Sequence, residues 1–86
     1  MNSHEKAGAE ERKHPIGAFA RLTGVTERTL RFYDRKGLLK PTGRNAQGHR
    51  YYTERDLLQL QRILTLKYLD FSLEEIAEQL RKPAAD

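Results

Sequence analysis

Cysteine is absent from this sequence of 86 residues. Its absence excludes disulfide bonds, thiolate chemistry and most zinc-finger arrangements. Long apolar runs are missing as well: no segment approaches the roughly 20 apolar residues of a membrane span, and residues 1–14 lack the apolar centre of a secretory signal. We therefore expect a soluble, cytoplasmic chain.

A catalytic cluster is also lacking. A chain this short buries only about 60% of the surface that its unfolded form exposes, which leaves room for one domain and a modest core. His4, His14 and His49 are scattered along the chain, and no Ser, His and acid trio or carboxylate pair shares a site. We therefore predict that the protein is not an enzyme, and that it has no cofactor and no metal site.

Positive charge is concentrated in the middle of the chain. Residues 15–52 contain eight cations and two anions, for a net charge of +6, whereas residues 1–14 are neutral and residues 53–86 carry −2. A local basic patch is typical of proteins that bind polyanions. An ordinary solvated surface would also tolerate it, so the charge needs support from the arrangement of the residues.

Composition separates the domain from its ends. Residues 1–13 have no large apolar residue after Met1, and we predict that they form a disordered tail. Residues 14–82 are predicted to form one domain, and residues 83–86 a second short tail.

Two short helices are predicted close together at the start of the domain. Ile16, Phe19, Ala20 and Thr23 follow helical spacing, and Gly24 ends that helix. The second helix, over residues 27–36, has an N-cap, a hydrophobic staple and a left-handed residue after its end: Thr26, the pair Val25 and Leu30, and Gly37. Two helices joined by a tight turn with glycine form the helix-turn-helix pattern, and a plain helical hairpin is the alternative.

The outer face of the second helix favours the first interpretation. If Leu30 faces the core at 0°, Asp34 and Tyr33 fall within about 60° of it, and the residues at about 100° to 200° are Arg31, Arg35, Arg28 and Phe32. An exposed ring among arginines gains nothing from water. Arginine forks can hold phosphates or guanine edges, and a ring can press on sugar or a thymine methyl.

A basic hairpin is predicted after the second helix. Pro41 confines its first strand to a sheet edge, a polar loop follows, and the tip and second strand carry Arg44, His49 and Arg50. A hairpin in this position is a wing, and its natural target is the DNA backbone or minor groove. The alternative is a hairpin that only covers the core, and either Tyr51 or Tyr52 is expected to do so in both cases.

Two further helices complete the predicted fold, which is mainly α with a small β-hairpin: a winged helix-turn-helix with two added helices. Thr53 with Asp56, and Ser72 with Glu75, form capping boxes. The buried stripe of the third helix is predicted to contain Leu57, Leu60, Ile63, Leu64 and Tyr68.

Three segments carry a family resemblance: "IGAFARLTGVTERTLRFYDRKGLL", "GHRYYTERDL" and "LKYLDFSLEEI". In this order and spacing they resemble the DNA-binding domain of the MerR family of bacterial transcription regulators, and within it the multidrug-responsive activators. The match spans residues 15–82. The resemblance implies that helix two enters the major groove of double-stranded promoter DNA while the wing contacts the backbone.

Residue by residue, the resemblance implies DNA contacts from both elements and from a phosphate clamp. Together with the exposed arginines found above, the candidate DNA-binding residues are Thr26, Arg28, Thr29, Arg31, Phe32, Tyr33, Arg35, Arg44, His49, Arg50, Tyr51 and Lys67. Family members bind as homodimers and bend and untwist a promoter spacer that is too long, so that RNA polymerase can use it. RNA polymerase is therefore a further expected partner.

Two positions depart from the family, and the chain is short. Many relatives have Tyr at Phe32, whose hydroxyl bonds phosphate, and many have Gly at Asp70. The family's dimerisation helix and effector domain would begin after Lys82. The chain is either a DNA-binding fragment or a naturally minimal member, and we expect the fragment. We expect this chain to be monomeric, and a full-length protein to form homodimers.

Two other functions stay open from the sequence. An excisionase-like recombination directionality factor would use a similar winged helix on repeated sites in phage or transposon DNA. A protein-interaction module would instead dock a partner helix on Phe32 and Tyr33, and its binding would respond little to salt, unlike binding to DNA.

Overall fold

The computed structural model describes residues 12–82. The predicted tails, residues 1–13 and 83–86, fall outside this range except for Arg12 and Lys13. The described segment contains four helices and a small antiparallel sheet: β1 (His14–Pro15), α1 (Ile16–Thr23), α2 (Glu27–Arg35), β2 (Gly43–Arg44), β3 (Arg50–Tyr52), α3 (Glu54–Tyr68) and α4 (Leu73–Arg81). Within residues 12–82, no helix is long and apolar enough to cross a membrane.

The helix-turn-helix is built from α1 and α2. Gly24 ends α1 with φ 77°, and Thr26 begins α2 by accepting a hydrogen bond from the N–H of Thr29 at 3.1 Å. At the other end, the N–H groups of Gly37 and Leu38 donate to the carbonyls of Asp34 and Tyr33, the two bonds of a Schellman motif. Each predicted start and stop of α2 is therefore within one residue of its observed position.

The wing belongs to a sheet of three strands rather than to a hairpin alone. The strand order is β1-β3-β2, with His14 opposite Tyr52 and Gly43 opposite Tyr51. A strand of two residues has no periodicity, so β1 could not be recognised in the sequence. Because β3 is central, the wing is attached on its other side to the chain that leads into α1.

A buried polar cluster joins the wing to α3. The Asp56 carboxylate accepts from the N–H of Thr53 at 2.9 Å, and the Thr42 hydroxyl bonds both that carboxylate and the Thr53 hydroxyl. Buried polar groups need hydrogen-bond partners, and the side chains of Thr42, Thr53 and Asp56 are partners for one another. The start of α3 and the approach to β2 are thus fixed together, and the predicted capping boxes at Thr53 and Ser72 are confirmed.

The core lies between the helix-turn-helix, β3 and the two C-terminal helices. Its buried side chains are Phe19, Leu30, Tyr33, Leu38, Leu39, Tyr52, Leu60, Ile63 and Ile76. The predicted stripe of α3 is wrong at two positions, since Leu64 is 37% exposed and Tyr68 is 86% exposed. The buried row of α3 contains Asp56, Leu60 and Ile63, and from the centre of that row Leu64 lies about 75° and Tyr68 about 115° round the helix.

Asp70 occupies a backbone conformation that usually requires glycine. Its φ is 69°, and it follows α3 at the position where the N–H groups of Asp70 and Phe71 donate to Lys67 and Leu66. A side chain in this region is strained, and a negative charge at a helix C-terminus opposes the helix dipole.

Replacing this residue is therefore expected to stabilise the domain. Asp70→Gly should raise the free energy of unfolding by about 1 kcal/mol and the Tm by about 4–8 °C, as measured by circular dichroism. Asp70→Asn, which removes only the charge, should give a smaller rise. A lower Tm for Asp70→Gly would show that the turn tolerates a side chain without strain.

Candidate nucleic-acid interface

The exposed face of α2 is cationic. Arg28, Arg31 and Arg35 are all exposed, as the helical spacing predicted. Arg31 pairs with Glu27 one turn earlier, at 3.2 Å between Nη2 and Oε1. At the start of the helix the Thr26 hydroxyl donates to the Thr29 hydroxyl at 3.0 Å, so both threonines serve the cap at the same edge of the helix.

Phe32 is less exposed than the helical spacing predicted. Its ring is half-buried and packs against the core, while the Arg35 guanidinium carbon and the Lys36 Nζ lie 5.8 and 5.7 Å from the ring centroid. Helical spacing gives the direction of Cβ, but a large side chain can turn back from it. The ring therefore supports two cations and exposes only part of its surface.

Tyr33 belongs to the core and not to the surface. It is 3% exposed, and burial raises the pKa of its hydroxyl. The helical spacing placed this residue beside the core-facing side, whereas the family resemblance placed it at DNA. The structure agrees with the helical spacing, and the DNA contact that the resemblance assigns to Tyr33 stays a prediction.

The tip of the wing is ordered by Asn45, which the sequence analysis did not single out. Its side-chain oxygen accepts from the N–H groups of Gln47 and His49, each at 2.9 Å, and Gly48 closes the turn with φ 84°. Arg44 donates from Nη1 to the Gly48 carbonyl at 3.0 Å. An asparagine followed by glycine three residues later was the available clue.

The base of the wing is closely packed around Tyr51. A Cβ on Gly43 would lie 3.0 Å from the Tyr51 hydroxyl oxygen, so a larger residue here would require the Tyr51 side chain to shift by a few tenths of an ångström. The Nζ of Lys13 lies 5.1 Å from the centroid of the same ring. Tyr51 is thus half-buried between strand and cation, whereas Tyr52 is fully buried and covers the core.

A cleft brings the helix and the wing together. It is lined by Pro15, Ile16, Arg31, Arg44, Gly48, His49 and Arg50. Four predicted site residues, one from α2 and three from the wing, therefore share one concave surface. Arg28 and Arg35 lie elsewhere on α2, and Lys67 is exposed in the last turn of α3, outside the cleft.

Asp34 places a carboxylate between the helix and the wing. Its Oδ2 lies 3.3 Å from Nε of Arg50, and its Oδ1 lies 3.5 Å from Nζ of Lys40. Burial raises the pKa of the neighbouring Tyr52 hydroxyl, and the negative charge of Asp34 raises it further.

Among residues 12–82, no group of three or more His, Cys, Asp or Glu could hold a metal ion.

The sequence pattern of the MerR helix-turn-helix family of regulatory proteins matches residues 15–82. The chain belongs to the MerR family. It is 48% identical over 73 residues to the HTH-type transcriptional activator TipA of Streptomyces coelicolor, an alignment that covers 85% of this chain and 29% of TipA. The chain therefore spans less than a third of the length of that relative.

Solved structures of MerR-family proteins share this fold. The N-terminal part of Mta, the Bacillus subtilis multidrug transporter activator, has a TM-score of 0.80 at 40% identity, over 86% of this chain and 70% of that one. HiNmlR, a MerR family regulator lacking the sensor domain and bound to promoter DNA, has a TM-score of 0.70 at 37% identity, over 76% and 52%. The predicted winged helix-turn-helix and its likeness to multidrug-responsive activators are confirmed.

The relatives also bear on the class of protein. TipA and Mta are named as transcriptional activators, and neither is an enzyme. The prediction that the chain is not an enzyme is therefore confirmed by the family.

Proposed function

We propose that this domain binds double-stranded DNA through α2 and the wing and thereby regulates transcription. The observation that carries the proposal is the cleft in which Arg31 of α2 faces Arg44, His49 and Arg50 of the wing. HiNmlR, which has the same fold, is bound to promoter DNA in its structure. The family match also favours a regulator over an excisionase-like factor.

The two elements have different tasks in this proposal. Helix α2 enters the major groove, where arginine forks can read base edges, and the wing follows the phosphate backbone. The proposed contact residues are Thr26, Arg28, Thr29, Arg31, the exposed part of Phe32, Arg35, Arg44, His49, Arg50, Tyr51 and Lys67. Phe32 lacks the hydroxyl that many relatives present here, so it contributes apolar contact and no phosphate hydrogen bond.

In a full-length protein, two such domains would act together. We propose a cytoplasmic homodimer whose α2 helices lie about one helical turn of DNA, roughly 34 Å, apart on a pseudo-palindrome. Bending and untwisting of the spacer between the promoter elements would then bring both within reach of RNA polymerase. Deformation of the DNA is the regulated step, and its energy depends on the sequence deformed.

Salt dependence tests whether the chain binds DNA. If three to six of its cations contact phosphates, log K for a duplex should fall linearly with log salt concentration, with a slope of about −3 to −5. Fluorescence anisotropy of a labelled duplex between low and moderate salt measures this slope. A protein-interaction module that docks a partner helix on apolar surface would show almost none.

Chemical shifts locate the contact in the same experiment. Residues 26–35 and 43–52 should shift when the duplex is added, because they form α2 and the wing. Shifts confined to residues 72–82, together with a flat salt response, would contradict the proposal.

A further inference from the structure

Asp34 is an anion in a surface that should attract DNA. It is one of two acids among residues 15–52, where eight side chains are cationic. It also lies in the last turn of α2, where the helix dipole disfavours negative charge. Attraction to a polyanion does not explain why an acid is present at this position, so the explanation must come from the groups that its side chain contacts.

The carboxylate of Asp34 connects α2 to both ends of the wing. Oδ2 lies 3.3 Å from Nε of Arg50 in β3, and Oδ1 lies 3.5 Å from Nζ of Lys40, in the segment between α2 and β2. The same Nζ donates to the Asp34 carbonyl at 3.4 Å. One side chain of the helix thus holds the segment that enters the wing and the strand that leaves it.

The carboxylate of Asp34 is partly buried, whereas its partners Arg50 and Lys40 are 45% and 70% exposed. The side chain of Asp34 is only 19% exposed, so water and salt screen its charge less than they would on an open surface. Arg50 meets it through Nε, and a guanidinium has four further N–H donors on its two terminal nitrogens. Those donors can serve phosphate while Nε stays paired, because Arg50 also lines the cleft.

We infer that Asp34 is a positioning residue for DNA recognition: by holding Arg50 and Lys40 it fixes the wing against α2, so that both elements meet one duplex in a single register. The inference rests on the proposed function. It makes Asp34 act through Arg50, without contact to DNA.

If Asp34 positions the wing, its removal should weaken binding to one kind of DNA and leave binding to another unchanged or tighter. Removing the negative charge adds attraction to any duplex, whereas releasing the wing harms only a duplex that needs the correct register. A purely electrostatic role would strengthen binding to both. A purely structural role would lower the Tm and weaken binding to both alike.

Asp34→Asn tests this with the full 86-residue chain. The probes are a duplex enriched from a randomised library by the wild-type chain, and poly(dI-dC). Asp34→Asn should bind the enriched duplex about tenfold more weakly, since directly coupled contacts of this kind typically carry effects of that size. It should bind poly(dI-dC) equally well or up to about threefold more tightly, because it repels phosphate less. Glu74→Gln, which removes an exposed acid on α4, is the charge-matched control and should leave the ratio of the two affinities unchanged.

Two readouts separate positioning from loss of structure. In an Arg50→Gln background, Asp34→Asn should cause no further loss on the enriched duplex, because its partner is already gone. The Nε–H resonance of Arg50 should be protected from exchange in the wild-type chain and lose that protection in Asp34→Asn. Persistence of the full tenfold loss in the Arg50→Gln background would overturn the inference.

The remaining outcomes also decide the matter. If Asp34→Asn behaves as Glu74→Gln does on both DNAs, the inference is wrong while the proposed function stands. If the wild-type chain binds neither DNA, the proposed function itself fails. If Asp34→Asn does not fold, Asp34→Glu keeps the charge but displaces the wing: weaker binding to the enriched duplex with unchanged binding to poly(dI-dC) supports the inference, and no change on either contradicts it.

Discussion

Phe19→Ala is expected to lower the free energy of unfolding by about 3–5 kcal/mol, the largest effect of any substitution considered. Phe19 lies on α1 and is fully buried. Its ring stacks on that of Tyr52 in β3, with centroids 4.5 Å apart and planes within 6°. Truncation to alanine removes the apolar burial, the ring pair and the packing on both sides of the resulting cavity.

A loss of that size is a large fraction of the free energy of unfolding of such a domain. At about 0.05–0.15 kcal/mol per residue, a domain of this length is stable by about 4–11 kcal/mol. Urea titration followed by circular dichroism should therefore show a much lower midpoint for Phe19→Ala than for the wild-type chain. Leu58→Ala is the matched control, because Leu58 is 63% exposed and should change the stability by about 0.5 kcal/mol or less. Equal midpoints for the two variants would contradict the core described here.

The partner of Phe19 shows what the sequence could and could not predict. Helical spacing placed Phe19 inside, and strand alternation required one of Tyr51 and Tyr52 to face the core. Which one does so depends on the pairing of β3 with β1 and β2, since a shift of one residue exchanges the two faces. The two-residue strand β1 left no pattern to set that register.

Local rules succeeded where the determining contacts are local. The caps at Thr26 and Ser72 and the left-handed Gly37 follow from residues within four positions, and all were predicted. The predicted exposure of Phe32 was wrong, because helical spacing gives the direction of Cβ and not the path of a long side chain that turns back to the core. Tyr33 is buried, as its position beside the core-facing side indicated, and the DNA contact transferred to it from relatives stays a prediction.

Contacts between segments that are distant in sequence could not be predicted from the sequence. Asp34 and Arg50 are sixteen positions apart in sequence, and nothing in either neighbourhood shows that α2 and β3 bring them within 3.3 Å. Only the opposite charge of Asp34 within a cationic segment set it apart. The sequence could therefore predict which two elements form the candidate interface, but not how the two are held together.

Arg31→Ala should have the largest effect on DNA binding, because Arg31 is the residue of α2 that shares the cleft with the wing. If its fork reads a base, we expect a loss of about 1–3 kcal/mol on an enriched duplex, measured by anisotropy at constant salt. Arg81→Ala is the matched control. Arg81 also pairs with an acid of its own helix, Glu78 at 3.0 Å, but it lies on α4 outside the cleft.

Arg31→Lys then separates the two ways in which this side chain can bind. A guanidinium can hold the O6 and N7 of guanine together, whereas an ammonium is a point charge that serves phosphate almost as well. If Arg31 reads a base, Lys should lose most of what Ala loses, and the salt slope should stay unchanged. If it contacts phosphate, Lys should restore binding, and Ala should make the slope shallower by about 0.9. If Arg31→Ala binds the enriched duplex with wild-type affinity, the prediction that Arg31 of α2 contacts DNA is wrong.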